Sequence, residues 1–338
     1  MDPSSAGAAV HASHHKGDAG RNLVVLVVGA LLVFCVFEMV RNYSFPHFAV
    51  KKDPAVLAEE AKTPGLAYVD ALLYIHDEGM RPWLPNDKLW PSVLLDNPQN
   101  FQLGELEAMR YGVQVLRNNL TRLRTTDLID PDVDEAYTRF SNPPTDWMFP
   151  SAEARYKAGA DALRRYRVKL AAGQAHFYPR ADNLMETLSQ FNSLLGGANT
   201  RLYNCVGNFT TRISEETAGE GRITGTDGEP KHLMQAEVPW SKIDDQFYFA
   251  QGVAFGYHEI MVSVLQDFAG VLLERNATSL AQSIVRDFLD YSQFEPLYVA
   301  NGSFGSMWAN HPYQLLGLLS QSRERARSLN SMLTVTRE

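Results

Sequence analysis

One apolar run constrains this chain more than anything else in it: Leu23 to Val40, LVVLVVGALLVFCVFEMV, interrupted only by Glu38. An α-helix of this length reaches about 27 Å, close to the roughly 30 Å of a bilayer's hydrocarbon core. The run predicts a transmembrane helix over 22–43, with Glu38 at one interface, where its carboxylate reaches water. Tyr43, Phe45 and Phe48 suit the headgroup zone. A cleaved signal peptide is the competing reading. The long polar leader, the length of the run and the lack of a small-x-small site after it favour an uncleaved signal anchor.

Orientation follows from charge. The leader carries Lys16 and Arg21, and the far flank carries Arg41, Lys51 and Lys52. The counts are nearly even, but Arg21 abuts the run, and the leader has only two acids, Asp2 and Asp18. The expectation is a cytoplasmic N-terminus and a body outside the cytoplasm, which in a bacterium means an inner-membrane protein with a periplasmic domain. The chain then divides into a disordered tail over 1–21, the anchor over 22–43 and a helical domain over 44–338.

The composition of the whole chain suits a packed domain, 45% hydrophobic and 21% charged. A formal net charge of −8 and the lack of a basic stripe with interleaved aromatics argue against nucleic-acid binding. Of the two cysteines, Cys35 lies in the apolar run and Cys205 stands alone outside it, so no disulfide framework is expected. Cys205 reads as a small core residue rather than a nucleophile.

Helical periodicity dominates the body. Residues 54–79 place Leu66, Val69, Leu72, Leu73 and Ile75 on one face, with His76, Asp77 and Glu78 as a solvated end. The Pro-rich stretch 80–101 reads as an irregular connection whose Trp83, Leu84, Trp90, Val93, Leu94 and Leu95 pack on the body. Residues 102–124 carry a seam of Leu103, Leu106, Met109, Val113, Leu116, Leu120 and Leu123. Asp130 and Pro131 open a short helix through Phe140. Ser151 caps a helix over 151–172 that stops at Gly173. A further helix covers 180–195 and ends at Gly196-Gly197. His176, in the connection before it, is expected to pack.

Residues 241–275 read as the longest helix of the body, with Ile243, Phe247, Ala250, Ala254, Tyr257, Met261, Val264, Phe268 and Val271 on one seam. Helices over 278–294 and 312–334 follow, the latter with Leu315, Leu319, Ser322, Ala326, Leu329 and Leu333 in register. The fold class is therefore all-α: one N-terminal transmembrane helix, then an elongated helical bundle with near-parallel packing. The Gly-rich, acidic stretch within 205–238 is the exception. It predicts either a small hairpin, pairing 209–213 with 232–238 around the turn at 225–230, or a mobile insertion.

Chemistry-bearing motifs are few. His258-Glu259 begins like a zinc-protease helix, but Val262 stands where the second histidine belongs. Asp244 and Asp245 open the 241–275 helix, where acids favour the dipole. The loop NGSFGSMWANHP (301–312) brings Asn310 and His311 before the last helix, which Pro312 begins. An ordered turn in which Asn310 or His311 caps the last helix is the better account of this loop than a binding loop. No P-loop, Gly-x-Ser-x-Gly or GxGxxG occurs, and neither a metal nor a cofactor is expected.

Four segments carry a resemblance: LWPSVLLDNPQNFQLGEL (89–106), DWMFPSAEARYKAG (146–159), DDQFYFAQGVAFG (244–256) and NGSFGSMWANHP (301–312). In these the chain resembles the bacterial envelope family known as domain of unknown function 2333. The resemblance implies an N-terminal anchor and a helical extracytoplasmic domain in Gram-negative bacteria. It brings no established activity, so no catalytic residue carries over.

Two function classes remain. One is a membrane-anchored, non-enzymatic scaffold that binds an envelope protein or a second copy of itself. The other is an envelope hydrolase or ligand-binding protein whose site draws on Asp244, Asp245, His258, Glu259, Asn310 and His311. Convergence of those side chains on one pocket would separate them.

Overall fold

The computed structural model describes residues 6–42, 63–87, 96–124, 126–206, 210–212, 234–236, 239, 242–292, 294, 296, 299–301 and 309–334. Among these the fold is all-α, a helical bundle. Trp90, Val93, Leu94 and Leu95, the 54–62 part of the first body helix, the turn at 225–230 and loop residues 302–308 lie outside the described residues.

The N-terminal helix α1 spans Ala6–Asn42, so the tail expected to be disordered is helical from Ala6 onwards. The leader holds five alanines between Ala6 and Ala19, and alanine is the strongest helix former. None of the apolar window Gly20–Phe37 is buried, and its mean hydropathy is 2.3.

The first described helix after α1 is α2 (Leu66–Tyr74), which runs into one π-helical turn, Ile75–Gly79. Helix α3 (Asp96–Val115) ends in a second π turn, Leu116–Leu120. Helix α4 (Pro131–Phe140) starts where expected, with the Asp130 carboxylate accepting from the Asp132 amide and proline at the first turn. In α5 (Ala152–Ala171) the Ser151 hydroxyl accepts from the Ala154 amide, and Gly173, at φ 69°, takes the left-handed conformation that ends the helix.

Helix α6 (Ala181–Val206) does not stop at Gly196-Gly197. It packs along the last helix, and a side chain at Gly196 would crowd the Arg323 guanidinium at 3.1 Å. A double glycine that reads locally as a terminator here admits a neighbouring side chain. Strands β1 (Thr210–Arg212) and β2 (Met234–Ala236) pair antiparallel, Thr210 opposite Ala236, in the place where the hairpin was expected.

Helix α7 (Ile243–Asp267) is the hub, packed by α2, α3, α6 and α9. It was expected to run to 275 with one buried seam, and both points change. The helix breaks at Phe268 and resumes as α8 (Ala269–Glu274), which leaves α6 the longest body helix among the described residues. Burial runs round the whole circumference: Tyr248, Phe249 and Phe255 are buried as well as the seam residues Phe247, Tyr257 and Phe268. A helix apolar on all sides belongs in the middle of a protein. Helices α9 (Thr278–Ser292) and α10 (His311–Thr334) complete the bundle, and the α10 seam from Leu315 to Leu333 is buried throughout.

The closest helix pair is α3 with α7. A Cβ on Gly252 would collide with the carbonyl oxygen of Phe101, one on Gly104 with that of Phe249, and one on Gly256 would lie 2.5 Å from the Ala108 Cβ. Small residues four apart on both helices let the backbones touch, the device of GxxxG crossings.

Candidate functional site

The six residues singled out from the sequence fall into three pairs. Asp244 and Asp245 open α7. The buried Asp245 carboxylate accepts from Asn100 Nδ2 at 2.9 Å and meets Lys242 Nζ at 2.8 Å. Asp244 is pushed up from the usual carboxylate range by burial and then by the negative charges of Asp96 and Asp245.

Asn310 and His311 start α10. Asn310 Oδ1 accepts from the Tyr313 amide at 2.8 Å, an N-cap, and its Nδ2 donates to Asn301 Oδ1 at 2.8 Å. His311 Nδ1 accepts from the Ala300 amide at 2.9 Å, and its own amide donates to the Ala300 carbonyl. Burial holds the His311 imidazole below its usual value. Asn301 Nδ2 in turn donates to the Cys205 carbonyl, and Cys205 packs with Ile243 and Val299. The starts of α7 and α10 therefore share one end of the body. The Cys205 thiol is buried and pushed up to about 11, chiefly by desolvation and then by Asp245, which suits a core residue and not a nucleophile.

His258 and Glu259 stand apart from these four, roughly 20 Å along α7 from Asp245 at helical rise. Both are buried, with His258 Nδ1 and Glu259 Oε1 3.0 Å apart. The six side chains do not converge on one pocket.

A cleft with a mixed apolar and charged lining lies elsewhere, and no motif in the sequence marks it. It has a volume of about 420 Å³ and sits between the π turn with its following loop and the start of α5. His76 lines it. The residue is 3% exposed, not part of a solvated helix end. Its Nδ1 lies 2.8 Å from Asp77 Oδ1, and Arg164 Nη2 holds both Asp77 oxygens at 2.7 Å. Burial lowers the His76 imidazole from its usual value despite Asp77. For Asp77 burial pushes upward, but the bonds from Arg164 and His76 prevail and hold its carboxyl low. A neutral imidazole whose Nδ1–H donates to Asp77 leaves Nε2 as the acceptor.

Buried Gln102 braces the same loop from behind. Its Nε2 donates to the Gly79 and Pro82 carbonyls, and its Oε1 accepts from the Leu84 amide at 2.9 Å. The signals in the sequence were the adjacent His76 and Asp77, but burial, Arg164 and Gln102 come from other helices. His176, expected to pack, is exposed, with its ring stacked on Tyr178.

Glu105 was also missed. It is fully buried at the α3–α7 crossing, where a side chain on Gly79 would collide with its carboxyl group, and neither carboxyl oxygen has a hydrogen-bond partner. Desolvation raises its pKa well above the usual value, because burial disfavours the charged carboxylate. Among the described residues no group of three or more His, Cys, Asp or Glu side chains is arranged to hold a metal.

Comparison with known proteins places the chain. The model of the domain of unknown function 2333 family, described as an uncharacterized protein conserved in bacteria, matches residues 15–335. The chain belongs to this family. No curated protein and no solved structure matches it. The matched span takes in the apolar helix and the whole helical body, including the cleft at His76.

Proposed function

We propose that this family member is a single-pass, membrane-anchored interaction protein of the bacterial cell envelope. Its body lies in the periplasm and works by binding an envelope protein or a second copy of itself rather than by catalysis. The exposed apolar helix carries this reading. Gly20–Phe37 presents contiguous side chains such as Leu26 (68% exposed) and Val33 (71% exposed) to the surroundings. Contiguous apolar area of this kind marks a surface that is covered, and length and hydropathy make lipid the fitting cover. Arg21 at the inner edge favours a cytoplasmic N-terminus.

Binding rather than catalysis is supported by the commitments of the candidate groups. Asn310 is spent on an N-cap, His311 on the Ala300 backbone and Asp245 on Asn100 and Lys242. A hydrolase centred on 244–259 and 301–312 has less support, because those groups are dispersed and already engaged.

Reporter fusions after Arg337 test the topology. An alkaline phosphatase fusion should be active and a cytoplasmic reporter inactive, and the reverse pattern would overturn the proposal. Sequencing the N-terminus of the membrane-bound protein should find residues preceding the run, and a mature chain starting beyond Val40 would mean a cleaved signal. In a strain with a deletion phenotype, folded His258→Ala, Asn310→Ala and His311→Ala variants should each retain function. Complete loss from one of them, at normal membrane level, would favour the enzyme.

A further inference from the structure

We propose that the cleft between the π turn Ile75–Gly79 and the start of α5 binds a zwitterionic ligand of the amino-acid or dipeptide class, with His76 Nε2 as an acceptor at its floor. The inference does not depend on where the body sits relative to a membrane.

Size comes first. A cleft of about 420 Å³ falls within the range of small-molecule sites, roughly 300–1,000 Å³. Its charged lining then selects the ligand. Arg81 and Lys157 bring two cations, Asp87 and Glu153 two anions. A simple anion would meet the two acids and a simple cation the two bases, while a molecule with an ammonium and a carboxylate satisfies both. The existing partners of the cations are weak competitors. Arg81 lies 3.9 Å from Asp77 with its side chain 60% exposed, and Lys157 pairs with Asp161 at 65% exposure. Exposed pairs of this kind hold their partners weakly.

The uncharged lining suits an apolar side chain. Trp83 Nε1 donates to the Pro144 carbonyl at 2.9 Å and Tyr156 Oη to the Asn142 carbonyl at 3.0 Å, so both aromatic residues have their polar atoms committed. Their rings meet edge to face at 5.1 Å, beside Met80 and Leu84.

The site is built rather than accidental. Gln102 fixes the loop through three backbone bonds. Arg164 Nη2 donates to both oxygens of Asp77, and Asp77 fixes the His76 ring. A buried neutral imidazole has two ring nitrogens to satisfy, and Asp77 takes only Nδ1 of His76. Here a second residue orients that partner, as in sites where the remaining nitrogen meets a ligand. Single π turns in α-helices also recur at functional sites.

The test uses the full-length protein in detergent and calorimetric titration with alanyl-leucine, its N-acetylated amide and glucose. Alanyl-leucine should bind saturably, and the blocked peptide, lacking both charges, about tenfold or more weakly. Lys157→Glu, at an exposed position, should weaken alanyl-leucine by a similar factor. His76→Gln should do the same, and the His76 ring-nitrogen NMR signals of the wild type should move on binding. If His76→Gln fails to fold, Lys157→Glu and the NMR signals decide. No saturable binding of alanyl-leucine, equal binding of the blocked form, preference for glucose, or indifference to Lys157→Glu would each overturn the assignment.

Discussion

Glu105 shows what a single residue contributes against the rest of the fold. Its carboxyl group sits where a side chain of Gly79 would be, with no donor for either oxygen, and burial there disfavours ionisation. Its folded-state pKa is raised, so its contribution to stability is fully present below the ordinary value of 4.5 and is lost as pH rises towards the folded value. Glu105→Gln keeps the shape and removes the titration. Relative to this variant, wild type should lose stability progressively above about pH 4.5, and urea unfolding of both proteins between pH 4 and 8 checks it. Parallel curves would refute the assignment. Asp77 has the opposite sign. Its carboxyl is held low, so its contribution is present above the ordinary 3.8 and fades as pH falls through the folded value. Asp77→Asn should therefore flatten the acid limb of the stability profile and leave the alkaline side to Glu105.

At the scale of elements, the α3–α7 crossing and the end of α7 carry the mechanical load. Gly252→Ala places a methyl group against the Phe101 carbonyl, which is backbone and cannot swing aside. The helices must separate, at a cost of about 1–3 kcal/mol. Gly317→Ala is the contrast, in the same kind of helix with open space around the new methyl, and should stabilise by about 0.5–1 kcal/mol. Thermal or urea unfolding of the pair distinguishes packing from propensity, and equal shifts would mean the crossing is looser than the glycines indicate. At the α7 break, Phe268 is fully buried and meets Phe177 edge to face at 5.9 Å. Phe268→Ala should cost about 3–5 kcal/mol through the cavity it leaves. Leu273→Ala, 73% exposed on the next helix, should stay within about 0.5 kcal/mol.

For the whole molecule the question is what α1 does for the rest. None of its apolar window is buried, and the core among the described residues draws on the helices from α2 onwards. Removing residues 1–42 should leave the body folded, with its helical circular dichroism and unfolding midpoint intact, and should move the protein from the membrane pellet to the soluble fraction. A body that stays with the membrane after this deletion would show that its surface, and not α1, makes the attachment.

Where structure follows from nearest neighbours, the sequence alone was sufficient. The apolar run, the Asp130-Pro131 start of α4, the Ser151 cap and Gly173 stop of α5 and the seam of α10 all rest on hydrogen bonds and periodicities within one or two turns, so they could be read directly. The all-α class follows from the same periodicity. Tertiary structure decided the rest. Gly196-Gly197 continues a helix because α10 packs against it, and α7 is buried on every side because four helices surround it, which no single seam announces. The residue types at the candidate site were legible, Asp244, Asp245, His258, Glu259, Asn310 and His311, but their dispersal into three engaged pairs was not. Nor was the cleft at His76, whose walls come from segments about 70 residues apart and whose orienting arginine lies 87 residues from its aspartate. Local hydrogen bonds are encoded within a turn of the chain. Burial and the convergence of charges are set by which helices meet, and that depends on the packing of the entire core.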